Sequence, residues 1–274
     1  VSTHAIQRGY NDVVAAHYDL DPQAVIGRSL GRAISQIRSE RLLEQSTDRL
    51  RVLDLGMGTG LFLTQLTAVG GDRIQPFGLD LAEKMVEMAR RRLPDLIAEV
   101  DDAAKLDELF PGHSFDLVCS HFITGFIPIS LLAPKIWSRL DEGGYWSLVG
   151  GTLAGFPALR AKADSGIARW LAGAGSRTLD DILTNPTDQD DAVRTMEENG
   201  FAICAAETFK PVLDFRDFDE FMEFGYQGGW FTPILEALGV HKSGAIKRWL
   251  ANRLLFPLQD HHDIVIVLAR KAKK

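Results

Sequence analysis

An α/β fold built on a doubly wound, mostly parallel seven-stranded sheet is what this 274-residue chain predicts. Three observations carry that expectation. Short apolar runs of strand length alternate with helical patterns through residues 51–150, with brief connections between them, as in a parallel sheet covered on both faces. The first run, Val52-Leu53-Asp54-Leu55, breaks into the spaced glycines Gly56, Gly58 and Gly60 immediately before a helix. A second run, Gln75 to Asp80, ends in an acid at the spacing where a carboxylate meets ribose hydroxyls held over such a loop.

Taken in order, the chain opens on Val1, which reads as a start that is missing or a segment excised from a longer protein. Residues 9–18 read as a short amphipathic helix with Tyr10 and Tyr18 near one face. Residues 22–46 read as one helix, with Asp21-Pro22 as cap and first-turn proline. Then come strand 51–55, helix 60–69, strand 75–80, helix 82–93, strand 96–100, short helix 103–110, strand 115–121, helix 130–140 and strand 145–150. Residues 152–187 hold a helical pattern at 158–172 and are expected to rim or cover a pocket. A helix at 188–199 ends on Gly200, a strand is expected at 201–213, and Asp263 to Ala269 forms a strongly apolar last strand. The intervening 214–262 is aromatic-rich and reads as a lid whose rings mostly pack its own helices. Residues 1–48 are thus expected to cover the site, and 49–274 to form the core with 152–187 and 214–262 as substrate segments.

The glycines let the chain turn sharply and bring backbone N–H groups close to a ligand, and the helix behind them offers unpaired donors to an anionic group. A dinucleotide fingerprint would be G-x-G-x-x-G; here the spacing is G-x-G-x-G, with Asp54 two residues before the first glycine. Asp54 would repel a pyrophosphate and suits a ligand carrying an ammonium group. Asp54-Leu-Gly-Met-Gly-Thr-Gly resembles the first motif of class I S-adenosylmethionine-dependent methyltransferases. Gly78-Leu79-Asp80-Leu81-Ala82-Glu83-Lys84-Met85 is similar to that family's second strand and ribose-binding acid. Glu99-Val100-Asp101-Asp102-Ala103 resembles the third-strand turn, Ser114 to His121 the fourth strand, and Leu140 to Tyr145 the turn into the fifth.

The resemblance implies a Rossmann-like methyltransferase fold whose last strand runs antiparallel beside the fifth, and S-adenosylmethionine as cofactor, with S-adenosylhomocysteine as product. It implies cofactor contacts from Tyr10, Tyr18, Asp54, Gly56, Met57, Gly58, Gly60, Asp80, Leu81, Met85, Asp101, Asp102, Ala103 and Ser120, with Met85 packing on the adenine. Asp101 stands where the family usually has Gly, which leaves open which acid meets the adenine amino group. Met57 is larger than usual and is expected to narrow the pocket near the sulfonium.

Composition bounds the acceptor. Net charge is −7, with no basic stripe interleaved with aromatics, so a nucleic-acid substrate is disfavoured. Ser120-His121-Phe122-Ile123 also lacks the Asn-Pro-Pro-aromatic arrangement of nucleic-acid amino-methyltransferases. The acceptor expected is a small, partly apolar or aromatic metabolite, with N-, O- or C-methylation left open. The two cysteines imply no disulfide framework, no metal-ligand spacing is present, and no run reaches membrane-span length. A cytoplasmic enzyme without membrane or nucleic-acid partners is expected. His121 is the candidate general base, with Tyr18 and Tyr10 as runners-up. His261 and His262 enter a strand on opposite faces, so both do not easily bind one ion, and a rim role for one of them is a minority alternative. Two alternatives remain: an aminopropyl transferase using decarboxylated S-adenosylmethionine, and a methyltransferase domain acting on a carrier-bound acyl group.

Overall fold

A computed structural model describes residues 2–44, 49–163 and 183–272. Its strands are β1 (Leu50–Leu55), β2 (Ile74–Asp80), β3 (Ile97–Val100), β4 (Phe115–His121), β5 (Leu140–Gly151), β6 (Phe201–Phe209), β7 (Val212–Phe215), β8 (Leu258–His261) and β9 (Ile264–Lys271). Seven of them form one sheet in the order β3-β2-β1-β4-β5-β9-β6. The first five are parallel, and β9 slots antiparallel between β5 and β6. The order reverses beside β1, so the carboxyl ends of β1 and β4 border the crevice where ligands bind in this architecture.

The central strands are buried on both sides because they are apolar on both, while the edge strands β3 and β6 are partly exposed. Along β9, Ile264, Ile266 and Leu268 face one core while Val265, Val267 and Ala269 face the other, and all six are fully buried. One face is covered by α2 (Val25–Ser39), α3 (Leu61–Gly70) and α4 (Glu83–Arg92); the other by α5 (Ile129–Arg139) and α7 (Gln189–Glu198), with α6 (Pro157–Ala163) between them in the chain.

Several boundaries differ from expectation. Instead of one helix at 9–18, α1 spans Thr3–Asp12 and two single 3₁₀ turns follow at Val14–Ala16 and Tyr18–Leu20. Helix α2 starts at Val25 and not at Pro22. Asp21 adopts a left-handed conformation, and its carboxylate reaches forward to accept the N–H groups of Val25, Ile26 and Gly27 at 2.8–3.2 Å. It therefore caps from four residues back, and Pro22 sits in the intervening turn. The strand expected over 201–213 divides after Phe209, because Val212–Phe215 pairs with Leu258–His261 in a separate two-stranded sheet. Between those two strands lie α8 (Phe218–Met222), a π-turn (Glu223–Gln227), α9 (Thr232–Ala237) and α10 (Ala245–Leu254), the helical lid before the last strand. Most of the helix expected at 158–172 lies outside the described residues.

Candidate active site

The glycine loop is drawn tight by the second strand. Gly56 and Met57 both donate their N–H groups to the carbonyl of Leu79, at 2.8 and 2.9 Å, and Gly58 donates to Asp80 Oδ2 at 2.8 Å. The other oxygen, Oδ1, accepts from Ala82 N–H at 2.8 Å. Asp80 thus fixes the loop and its own turn through backbone donors from Gly58, Leu81 and Ala82, and a carboxylate has about four lone-pair sites. Burial raises its pKa from the ordinary 3.8 to about 6, against the pull of those backbone donors. Gly56, Gly58 and Gly60 all have positive φ, which only glycine adopts at low cost.

Asp54 lies two residues upstream, 2 % exposed, and its Oδ1 has no hydrogen-bond partner. Desolvation, then the neighbouring Asp80 charge, push its pKa well above the carboxylate range. A buried acid in this state is satisfied by a proton or by a ligand cation.

The N-terminal segment closes over the loop. Gln7 donates to the Leu81 carbonyl at 3.1 Å, Asn11 accepts the Lys84 N–H at the start of α4, and Tyr10 donates to the Gly229 carbonyl of the lid. Thr59 donates to Asp19 at 2.6 Å and Arg92 pairs with the same carboxylate, which pins the second 3₁₀ turn to the loop. The Tyr18 ring consequently lies across Gly58, 3.4 Å from where a Cβ would stand. Burial raises the phenolic pKa of both Tyr10 and Tyr18, so both remain protonated donors.

Gly56, Gly58, Asp80 and the N-terminal segment border a cavity of about 320 Å³, at the lower end of the range typical of ligand sites. Of the residues singled out from sequence, Tyr10, Tyr18, Gly56, Gly58, Asp80, Leu81, Asp101, Asp102, Ala103 and His121 line it. Asp101 is engaged by Lys105 Nζ at 2.8 Å and by the Asp102 N–H, and Lys105 holds its pKa low. Asp102 caps the following 3₁₀ helix through Oδ1 alone, accepting from Ala104 N–H.

Five expected contacts lie off this lining. Asp54, in β1, is buried and is not among the residues that line the cavity. The Met57 sulfur packs over Gly78, so the long side chain turns into the core and does not narrow the cavity. Met85 is fully buried against Val14, Ala15 and Ala82, beneath the N-terminal segment. At Gly60 a Cβ would stand 3.0 Å from Ala89 Cβ, so that glycine serves the contact of α3 with α4. Ser120 is fully buried and accepts the Trp146 indole N–H at 2.9 Å.

His121 does line the cavity, but its Nε2 is 3.0 Å from Ser147 Oγ, its ring meets Phe62 edge-on at 4.3 Å, and its Nδ1 has no partner. Burial lowers its pKa from 6.5 to about 3, which argues against a general base at neutral pH. Of the two histidines near the last strand, His262 lines the cavity and His261 belongs to β8. Thr124 falls in the loop 120–126 that the strand alternation sets at the crevice, Phe156, Arg160 and Asn185 in the segment 152–187 expected to rim or cover the pocket, and Trp230 and Phe231 in the lid whose rings mostly pack its own helices. The sequence singles out none of the six individually, and all six line the cavity. Thr124 donates to Asn185 at 3.1 Å across a sequence separation no local motif would signal.

Comparison with known proteins places this geometry. Residues 52–144 match a family model described as a methyltransferase domain. The tRNA (guanine(10)-N2)-dimethyltransferase of Pyrococcus abyssi is 30% identical over 39% of this chain and 33% of its own length. The ribosomal protein L11 methyltransferase of Pelobacter propionicus is 30% identical over 48% of this chain and 43% of its own. The chain therefore spans less than half the length of the curated relatives it matches. Among solved structures, the YcgJ protein of Bacillus subtilis superposes with a TM-score of 0.56 at 18% identity, over 90% of this chain and all of that one. The magnesium protoporphyrin IX methyltransferase of Synechocystis, solved with bound SAH, gives 0.52 at 14%, over 94% and 86%. Residues 52–144 form a methyltransferase domain, and the sheet around them has the class I, S-adenosylmethionine-dependent methyltransferase fold.

Proposed function

We propose that this chain, built on a methyltransferase domain of the class I, S-adenosylmethionine-dependent kind, moves a methyl group to a nucleophile of a small metabolite. The observation that carries the reading is the buried Asp54 carboxylate, lacking a partner on Oδ1 beside a glycine loop. The ammonium of a methionyl group supplies the missing charge, whereas a pyrophosphate would be repelled. On this reading Asp80 accepts the ribose hydroxyls with its remaining lone pairs. Asp102, less engaged than Asp101, takes the adenine amino group, and Leu81 and Ala103 flank the base. Tyr10 and Tyr18 close over the methionyl end as donors.

When bound, the sulfonium supplies an activated methyl group open to in-line displacement. The protein's own part is to align the acceptor and keep water out, and positioning of that kind contributes on the order of 7–11 kcal/mol. A general base is not required for an acceptor that is already nucleophilic; His121, held neutral by burial and bonded to Ser147, shapes the wall.

Access favours a small acceptor. The cavity is roofed by α1 and by the lid segment around Gly229 and Trp230, and the net charge of −7 offers no footprint for polyanionic RNA. The test is transfer of a labelled methyl group from S-adenosylmethionine to three acceptor pools: a small-metabolite extract, bulk tRNA and ribosomal protein. Label in the metabolite pool is expected; label confined to tRNA or protein would contradict the proposal.

A further inference from the structure

Away from Asp80 and Asp102 the cavity continues between the loop after β4, the end of β5 and the lid, and there its wall is aromatic. Phe122 meets Trp230 edge-on at 5.1 Å, Trp230 meets His262 edge-on at 5.1 Å, and Phe156 lies 4.4 Å from His262 and 4.9 Å from Phe231. His262 is only 4% exposed; its unpartnered Nδ1 is packed against Gly155, whereas Nε2 and Cε1 lie toward Gly151 on the cavity wall. Desolvation keeps this imidazole neutral, with its pKa lowered to about 3. Nε2 is therefore the ring nitrogen that a ligand in the cavity can meet, and burying a polar ring is costly unless it is hydrogen-bonded.

Charge narrows the ligand further. Among the described residues, the carboxylates lining the cavity are Asp80, Asp101 and Asp102, all on the glycine-loop side. The acids nearest the aromatic half are already engaged. Asp263 accepts from Thr152 Oγ1 at 2.7 Å and pairs with Lys210, and Asp260 accepts the N–H groups of Ala158 and Leu159. The charged side chain among the described lining residues here is a cation, Arg160, whose Nε donates to the Gly155 carbonyl. An ammonium entering this half would be stripped of water with no carboxylate among the described lining residues to meet it, and attraction to ring faces is smaller than that cost.

Resting on the adenosyl reading of the other half, we propose that the aromatic half binds a planar aromatic acceptor that carries no positive charge and whose hydroxyl hydrogen-bonds His262. The rings supply contact area and shape, and the imidazole sets which way round the acceptor lies.

The experiment is a titration of protein saturated with S-adenosylhomocysteine against three probes of one shape: 2-naphthol, 2-methylnaphthalene and the 2-naphthylmethylammonium ion. The expected order is 2-naphthol at least tenfold tighter than either of the others. In His262→Phe, which keeps a ring in place, 2-naphthol should fall to within threefold of 2-methylnaphthalene while the latter changes less than threefold. Equal binding of the ammonium probe, an unchanged hydroxyl preference in His262→Phe, or no binding of any probe would overturn the proposal; the wild-type comparison decides even if the variant fails to fold. Heat from S-adenosylhomocysteine alone reports the cofactor reading separately. Were that heat absent, the adenosyl reading would fall, and the same probe order on ligand-free protein would still decide the aromatic half.

Discussion

Asp80 does two jobs with one side chain, bracing the Gly58 loop and offering its remaining lone pairs to the cavity. Asp80→Ala should weaken S-adenosylhomocysteine binding by about 1–3 kcal/mol, the cost of leaving ligand hydroxyls without a charged partner; unchanged affinity in a calorimetric titration would remove the ribose contact. The raised pKa also has a stability consequence. Because the folded value of about 6 lies above the ordinary 3.8, the folded state holds this proton more tightly. Its contribution is fully present below pH 3.8 and is lost as pH rises through about 6, an effect of about 3 kcal/mol. Asp80→Asn should flatten that part of the stability curve in urea titrations between pH 4 and 6, and an identical slope would show that the proton is not held there. At this scale the sequence was partly legible. Spacing from the glycines found Asp80, but a motif reports position along the chain and not the side to which a residue turns. Met57, Met85 and Ser120 belong to the motif stretches and yet are spent on Gly78, the N-terminal segment and Trp146.

Elements were easier to read where burial set their pattern and harder where a distant partner did. β9 shows as an unbroken apolar run because both of its faces are covered, whereas β7 and β8 are four-residue strands that find each other across the whole lid. His262 could not be assigned to the cavity from sequence because its place depends on β9 slotting beside β5, which sets it against Gly151 and Phe156. Two outcomes follow from packing between elements. Gly60→Ala must hold φ near +78° with a Cβ 3.0 Å from Ala89 Cβ, so it should cost about 2 kcal/mol and lower Tm by about 4–8 °C. Affinity per folded molecule should stay close to wild type; a selective loss of affinity at unchanged Tm would make Gly60 a ligand contact instead. Helix α10 buries only Ala251 fully, with Ile246 and Trp249 largely exposed, so its amides should exchange with solvent far sooner than those of β9. Equal protection in a hydrogen-exchange experiment would show that α10 is held as firmly as the core.

For the whole molecule, His121 and His262 are two buried imidazoles whose pKa values are depressed from 6.5 to about 3. Both favour the fold above pH 6.5 and withdraw that support as pH falls toward 3, since the unfolded chain takes up protons that the folded one refuses. Their ring resonances should therefore show no titration between pH 8 and 5 in the folded protein; protonation near pH 6 would place them in contact with water. The account as a whole turns on one cavity holding an adenosyl group between the glycine loop, Asp80 and the N-terminal cover. The most direct test is calorimetric titration of the folded protein with S-adenosylhomocysteine at pH 7.5, alongside Asp80→Ala. Saturable one-to-one binding in the wild type, weakened roughly 5–150-fold in the variant, is predicted; absence of binding to a protein shown to be folded, or equal affinity in both, would contradict it.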